Sequence, residues 1–133
     1  MEKINIKTKK EREMVDITQE VQELITKANK KDGFCHLFLK HTTAGLTTAD
    51  LNPESELEIF DAFEIPIPKK ESPRLKYEHT HTAVHMPSHF MASFLGPSLV
   101  VPVEDGKLVL GDYQKIVLVE LNGPEKREII FGC

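Results

Sequence analysis

The chain has 133 residues and a net charge of −4, with 40% hydrophobic and 29% charged residues. That length is enough to bury one core without staples, and an acidic balance argues against a general nucleic-acid binder, which displays a basic face. No apolar run approaches about 18 residues, and Met1-Glu-Lys-Ile-Asn-Ile-Lys7 alternates charge with isoleucine. Neither a transmembrane helix nor a secretory leader is therefore expected, and the expected address is the cytoplasm.

Ile4, Ile6 and Thr8 alternate with charged residues and predict a strand with one wet face. Met14, Val15 and Ile17 read as its hairpin partner across a polar turn from Lys9 to Glu13. The period then changes. Val21, Leu24, Ile25 and Ala28 recur at helical spacing, which predicts an amphipathic helix over 19–31 with Thr18 as N-cap and Gly33 beyond its end. Phe34 to Leu39 reads as a buried strand that delivers His41 at its C-terminal end. Cys35 in this segment and Cys133 at the last position make neither a disulfide framework nor a CxxC motif, and both are read as bystanders.

Asn52, Pro53 and the acidic residues that follow predict a helix start, by side-chain capping, proline at the first position and negative charge at the positive dipole end. Leu57 and Phe60, joined by Ile59 and Phe63, would be its buried side. Prolines 66, 68 and 73 with four basic residues predict a surface loop, where Lys69, Lys70, Arg74 and Lys76 could draw in an anionic substrate. A short helix from Pro87 through Phe94 and Leu95 should stop at Gly96-Pro97. The last third reads as an antiparallel meander of four short strands, 99–103, 107–110, 116–121 and 128–131. The class is therefore α+β in a single domain, 1–133.

Four of the six histidines lie between His79 and His89, and His41 stands apart. Imidazoles ligate divalent metals and exchange protons near neutral pH, so their convergence points to a metal or acid/base site. A continuous helix would align His81, His85 and His89, but Pro87 disfavours one, and an extended run to Met86 is expected instead. His81 and His85 could be alternative ligands, proton donors or simply exposed groups. Thr42, Thr43 and Gly45 read as a polar turn whose hydroxyls and amides could hold phosphate oxygens. Gln114 could orient substrate. Glu120, alternating with Val119 and Leu121, is either solvent-facing or a partner that holds a ligand histidine.

The ordered blocks His41-Thr-Thr-Ala-Gly-Leu-Thr47, Tyr77-x-His79, Met86-Pro-Ser-His89, Ser93-x-Leu95-Gly-Pro-Ser98 and Gly106 to Gln114, through to Glu120, resemble the YjbQ-like family. Its members are often labelled secondary thiamine-phosphate synthases. The resemblance implies a trimeric α+β domain, a twisted antiparallel β-sheet sandwich with a few helices and a histidine-lined metal pocket. By position, His41, His79 and His89 would be metal ligands and catalytic residues with Gln114, and Thr42, Thr43, Gly45 and Glu120 would bind substrate. The implied cofactor is a divalent metal, zinc first, with nickel, iron or manganese as alternatives. The implied reaction is a transferase step joining hydroxymethylpyrimidine diphosphate to a thiazole phosphate with release of pyrophosphate. A non-catalytic trimer holding a metal or a phosphorylated ligand is the other reading. The expected partners are a homotrimer and a small phosphorylated substrate, with no nucleic acid and no membrane. Two departures from the family pattern stand out: Ala83, Val84 and His85 replace an expected Asp or Asn, and Asp112-Tyr113 replaces Thr-Trp.

Overall fold

The computed structural model describes residues 1–64 and 85–133, with the side chains at 53, 54, 57, 64, 85 and 86 outside the description. In chain order the elements are β1 (Glu2–Lys7), β2 (Glu13–Asp16), α1 (Thr18–Lys27), β3 (Gly33–Leu39), β4 (Ala44–Ala49), α2 (Pro53–Glu64), α3 (His85–Leu95), β5 (Ser98–Glu104), β6 (Lys107–Leu108), β7 (Lys115–Glu120) and β8 (Lys126–Gly132). They form a five-stranded sheet, β1-β8-β3-β5-β6, and a three-stranded sheet, β2-β7-β4, with every pairing antiparallel. The α+β class holds. Among the described residues no helix is long and apolar enough to cross a membrane.

Two cores explain the layering. One, between the sheets and under α1, gathers Ile17, Val21, Ile25, Leu37, Leu39, Leu46, Leu118 and Ile129. The other lies between the three-stranded sheet and the later helices, with Met14, Phe60, Met91, Val117, Val119 and Leu121. Strand β7 separates them. Because side chains alternate across a strand, Ile116 and Leu118 enter the first core while Val117 and Val119 enter the second. Every β7 residue from Ile116 to Glu120 is consequently buried within one subunit.

Local chemistry set several elements as expected. The Asn52 side chain accepts a hydrogen bond from the Ser55 amide at 2.9 Å and starts α2. Gly96, at φ +86, ends α3 and donates its N–H to the Ala92 carbonyl at 2.8 Å. Other expectations fail for tertiary reasons. The first two strands do not form a hairpin: β1 pairs with β8, and β2 with β7. The late strands do not form a meander either, since β7 crosses to the second sheet and β8 returns between β1 and β3. Thr18 is not an N-cap; its hydroxyl donates to Asp16 at 2.6 Å and accepts from the Ile116 amide at 2.9 Å, tying α1 to β7. Helix α3 begins at His85, ahead of Pro87. Proline tolerates this place because the first-turn amides of a helix have no intrahelical acceptor.

The cysteines are not bystanders. Cys35, fully buried on β3, forms a disulfide with Cys133, 98 positions away. Two cysteines without a recognisable spacing pattern carry no pairing signal. The cross-link follows from β8 pairing beside β3, with His36 opposite Gly132.

Candidate functional site: a cavity between the two histidine blocks

Strand β3 ends at Leu39, and the chain then turns sharply into β4. The turn is anchored on both sides: the Leu39 amide donates to the Pro97 carbonyl at 2.7 Å, and the Lys40 amide to the Glu128 carbonyl at 3.3 Å. His41 completes the anchor. Its Nε2 accepts the Glu128 backbone N–H at 3.0 Å. A nitrogen that accepts from an amide carries a lone pair, so the neutral ring holds its proton on Nδ1. Burial first, and the nearby Arg127 guanidinium second, push the His41 imidazole below its ordinary value.

Behind this turn lies a buried ion pair that sequence reasoning missed in part. Glu120, at the end of β7, is fully buried and takes two hydrogen bonds from Arg127 Nε, at 3.0 and 3.1 Å, and a further one from Nη2. Thr8 donates its hydroxyl to the same carboxylate at 2.6 Å, and the Leu121 amide donates at 3.0 Å. Arg127 Nη2 also reaches the Thr43 carbonyl at 3.1 Å and the Thr43 hydroxyl at 2.9 Å. The Glu120 carboxylate thus faces neither solvent nor a histidine. Together with Arg127 it holds the backbone of the turn two residues after His41. Arg127 sits in an alternating strand beside Lys126 and Glu128, where a charged residue ordinarily faces water. Only the opposing Glu120, in a run otherwise fully apolar from Ile116 to Leu121, hinted at a buried partner.

Gly45 is required by packing. A Cβ on it would lie 2.7 Å from the Leu95 Cβ, and the next residue, Leu46, donates its amide to the Gly96 carbonyl at 3.1 Å. Strand β4 and the end of α3 therefore meet backbone to backbone. That contact brings His89 toward His41. Both border one cavity of about 340 Å³, completed by Thr42, Ala44, Ala92, Ser93 and Pro97. His41 also borders a second hollow of about 310 Å³ with Lys40, Lys126 and Glu128. The Lys40 ammonium, 2.8 Å from the Glu128 carboxylate, is the main reason that carboxyl lies below its ordinary range.

Gln114, another of the expected site residues, lies away from this cavity. Gln114 lies near the opposite end of β4, where its amide donates to the Thr48 hydroxyl at 3.0 Å and its carbonyl accepts from the Gly111 amide at 3.1 Å. It closes a turn and does not reach either histidine cavity. His79 and His81, with Lys69, Lys70, Arg74 and Lys76, lie outside the described residues, and so does the His85 side chain.

Residues 2–133 match the profile of the UPF0047 protein YjbQ-like family. The chain belongs to this family. It is 34% identical over 127 residues to a UPF0047 protein of Methanocaldococcus jannaschii, covering 95% of this chain and 88% of that one. It is also 34% identical over 125 residues to the UPF0047 protein YugU of Bacillus subtilis, covering 93% and 91%. Among solved structures it is similar to an uncharacterised YjbQ/UPF0047 protein of Clostridium acetobutylicum, at TM-score 0.89 and 28% identity over 99% of this chain and 98% of that one. A protein of unknown function from Sulfolobus solfataricus superposes at TM-score 0.87 with 32% identity, covering 98% and 92%.

These comparisons overturn the functional expectation. The family and its solved members carry no assigned activity, and none is described as a thiamine-phosphate synthase or a metal protein. The zinc and transferase readings fall with that label, and so does the alternative of a non-catalytic metal-binding protein. The side chains agree. Among the described residues no three His, Cys, Asp or Glu groups gather to hold a metal ion. His41 commits Nε2 to a backbone amide, so that nitrogen could bind a cation only by giving up the Glu128 hydrogen bond. Of the three expected ligands, His41 and His89 border one cavity, and His79 lies outside the described residues.

Proposed function

We propose that the cavity between His41 and His89 is the ligand site of this protein, and that it takes a small oxygen-rich molecule. The observation that carries the reading is the convergence of two imidazoles, from the β3–β4 turn and from α3, on one 340 Å³ hollow. One of the imidazoles is fixed in tautomer by a backbone amide. A hollow of that size, part apolar with a few placed polar groups, has the make-up of a small-molecule site. Ala44, Ala92 and Pro97 supply the apolar part; the Thr42 hydroxyl and the His41 Nδ1–H supply donors. The Ser93 hydroxyl donates to the Phe90 carbonyl at 2.7 Å, so toward a ligand it acts as an acceptor. The turn that bears His41 and Thr42 is held by Arg127 and Glu120, so the donors are positioned before any ligand arrives.

Acetate, a single carboxylate with a methyl group, is a suitable probe. In ¹⁵N-histidine-labelled protein titrated with acetate, the His41 and His89 ring signals should move together and saturate, and His89→Ala should abolish the movement at His41. Ring signals that stay still, or that move identically in His89→Ala, would remove this site.

Assembly as a trimer is proposed on a separate observation. The outer face of the five-stranded sheet exposes Phe34, Phe38 and Val100 at 61%, 48% and 51%, an apolar patch of the kind subunits cover. Light scattering on the eluting protein should give three times the chain mass, and Phe38→Asp should lower it. A monomeric wild-type protein would end this reading.

A further inference from the structure

A second hollow, of about 800 Å³, lies away from the histidines, between α1 and the β5–β6 turn. None of its lining residues borders the His41–His89 cavity. Its walls are fixed to one another by Gln22, whose amide nitrogen donates to the Gly106 carbonyl at 2.9 Å and whose amide oxygen accepts from the Leu108 N–H at 2.9 Å. The Gly106 amide, at φ +75, donates to the Lys31 carbonyl at 2.9 Å and closes the other side. The hollow is therefore formed by the fold itself. Ile25, Leu108 and Leu110 give it an apolar floor.

Four lysines, Lys30, Lys31, Lys107 and Lys115, line it. None of their ammonium groups pairs with a carboxylate among the described residues. The two carboxylates at the hollow are Asp16 and Asp105. Asp16 is already occupied by the Thr18 amide and hydroxyl, at 2.9 and 2.6 Å. Four lysines against the two lining carboxylates and Asp32, whose carboxylate accepts from the Asp105 amide at 3.1 Å beside the hollow, leave a local excess of one positive charge on a chain whose net charge is −4. Like charges gathered without partners repel, and a multiply charged anion relieves that repulsion.

We infer that this hollow is a binding site for an organic phosphate of nucleotide size, its phosphate among the lysines and its ring on the apolar floor. A free phosphate would leave the floor wet, and a neutral ring would leave the ammonium groups unmatched, so the two features together select an amphipathic anion. The site is independent of the histidine cavity.

Adenosine monophosphate, adenosine and inorganic phosphate are the probes, titrated calorimetrically against the whole chain at low salt. The expected result is one saturable site for adenosine monophosphate per chain, with adenosine and inorganic phosphate each at least about tenfold weaker. Lys30→Gln/Lys107→Gln should weaken adenosine monophosphate about tenfold or more, with an unchanged melting curve, and Lys31→Gln/Lys115→Gln should act in the same direction. His89→Ala should bind as wild type. Absence of saturation overturns the site; adenosine binding as tightly as its phosphate overturns the role of the lysines; inorganic phosphate binding as tightly overturns the role of the floor. Loss of binding in His89→Ala with retention in both lysine variants would place the ligand in the histidine cavity and overturn the inference too.

Discussion

Removing the Cys35–Cys133 disulfide is expected to cost a large share of the folding stability. The cross-link joins positions separated by 98 residues, so in the unfolded chain it closes a loop of nearly the whole sequence. In the chain-entropy account a loop of roughly 100 residues loses about 4.7 kcal/mol of unfolded-state freedom, against total stabilities of about 5–15 kcal/mol for ordinary domains. Cys133→Ser is the cleaner perturbation, because Cys133 is exposed whereas Cys35 is fully buried and its truncation would add a cavity cost. Urea unfolding of oxidised wild type, reduced wild type and Cys133→Ser should show the last two coinciding, about 2–5 kcal/mol below the first. The slope of the unfolding free energy should steepen on reduction, since the released chain exposes more surface. Thiol titration of the unreduced, denatured wild type should find no free thiol. Equal midpoints for oxidised wild type and Cys133→Ser would refute the argument, and so would two titratable thiols in protein purified without reductant.

Three further outcomes follow from the turn around His41. Glu120→Gln should destabilise by about 3–5 kcal/mol, because it leaves the buried Arg127 guanidinium without its counter-charge, whereas Glu120→Met/Arg127→Met should recover much of the loss in urea unfolding. Gly45→Ala forces a Cβ to within 2.7 Å of the Leu95 Cβ, so a loss of about 1–3 kcal/mol and a lowered melting temperature are expected. The His41 imidazole is held below its ordinary value of about 6.5, so the unfolded chain takes up this proton first as pH falls. Stability should therefore be full above that pH and decline below it, and His41→Gln should flatten this part of the pH–stability curve; an unchanged curve would contradict the assignment.

Much of the layout was legible because local chemistry decides it. The Asn52-Pro53 start of α2, the Gly96 end of α3 and the short late strands are written in cap, turn and β-branched residues whose effects act over a few positions. Strand partners were not legible, because alternation marks which face of a strand is buried but not which neighbour it meets. Met14 and Val15 therefore looked like a hairpin partner of Ile4 and Ile6, although they pair with Val119 and Leu118.

The same division runs through the site. The sequence by itself marked His41, His79 and His89 as the residues to watch, through ordered blocks that resemble those of its family. Which nitrogen of His41 is available was decided by the fold, when β8 brought the Glu128 amide against Nε2. Glu120 was noticed for an acidic side chain in an apolar strand, but its commitment to Arg127, Thr8 and Thr43 depends on β7, β8 and the β4 turn meeting in space. The disulfide and the lysine-lined hollow have the same origin. Each joins groups distant in sequence, and such pairs acquire meaning only when long-range strand pairing sets their separation.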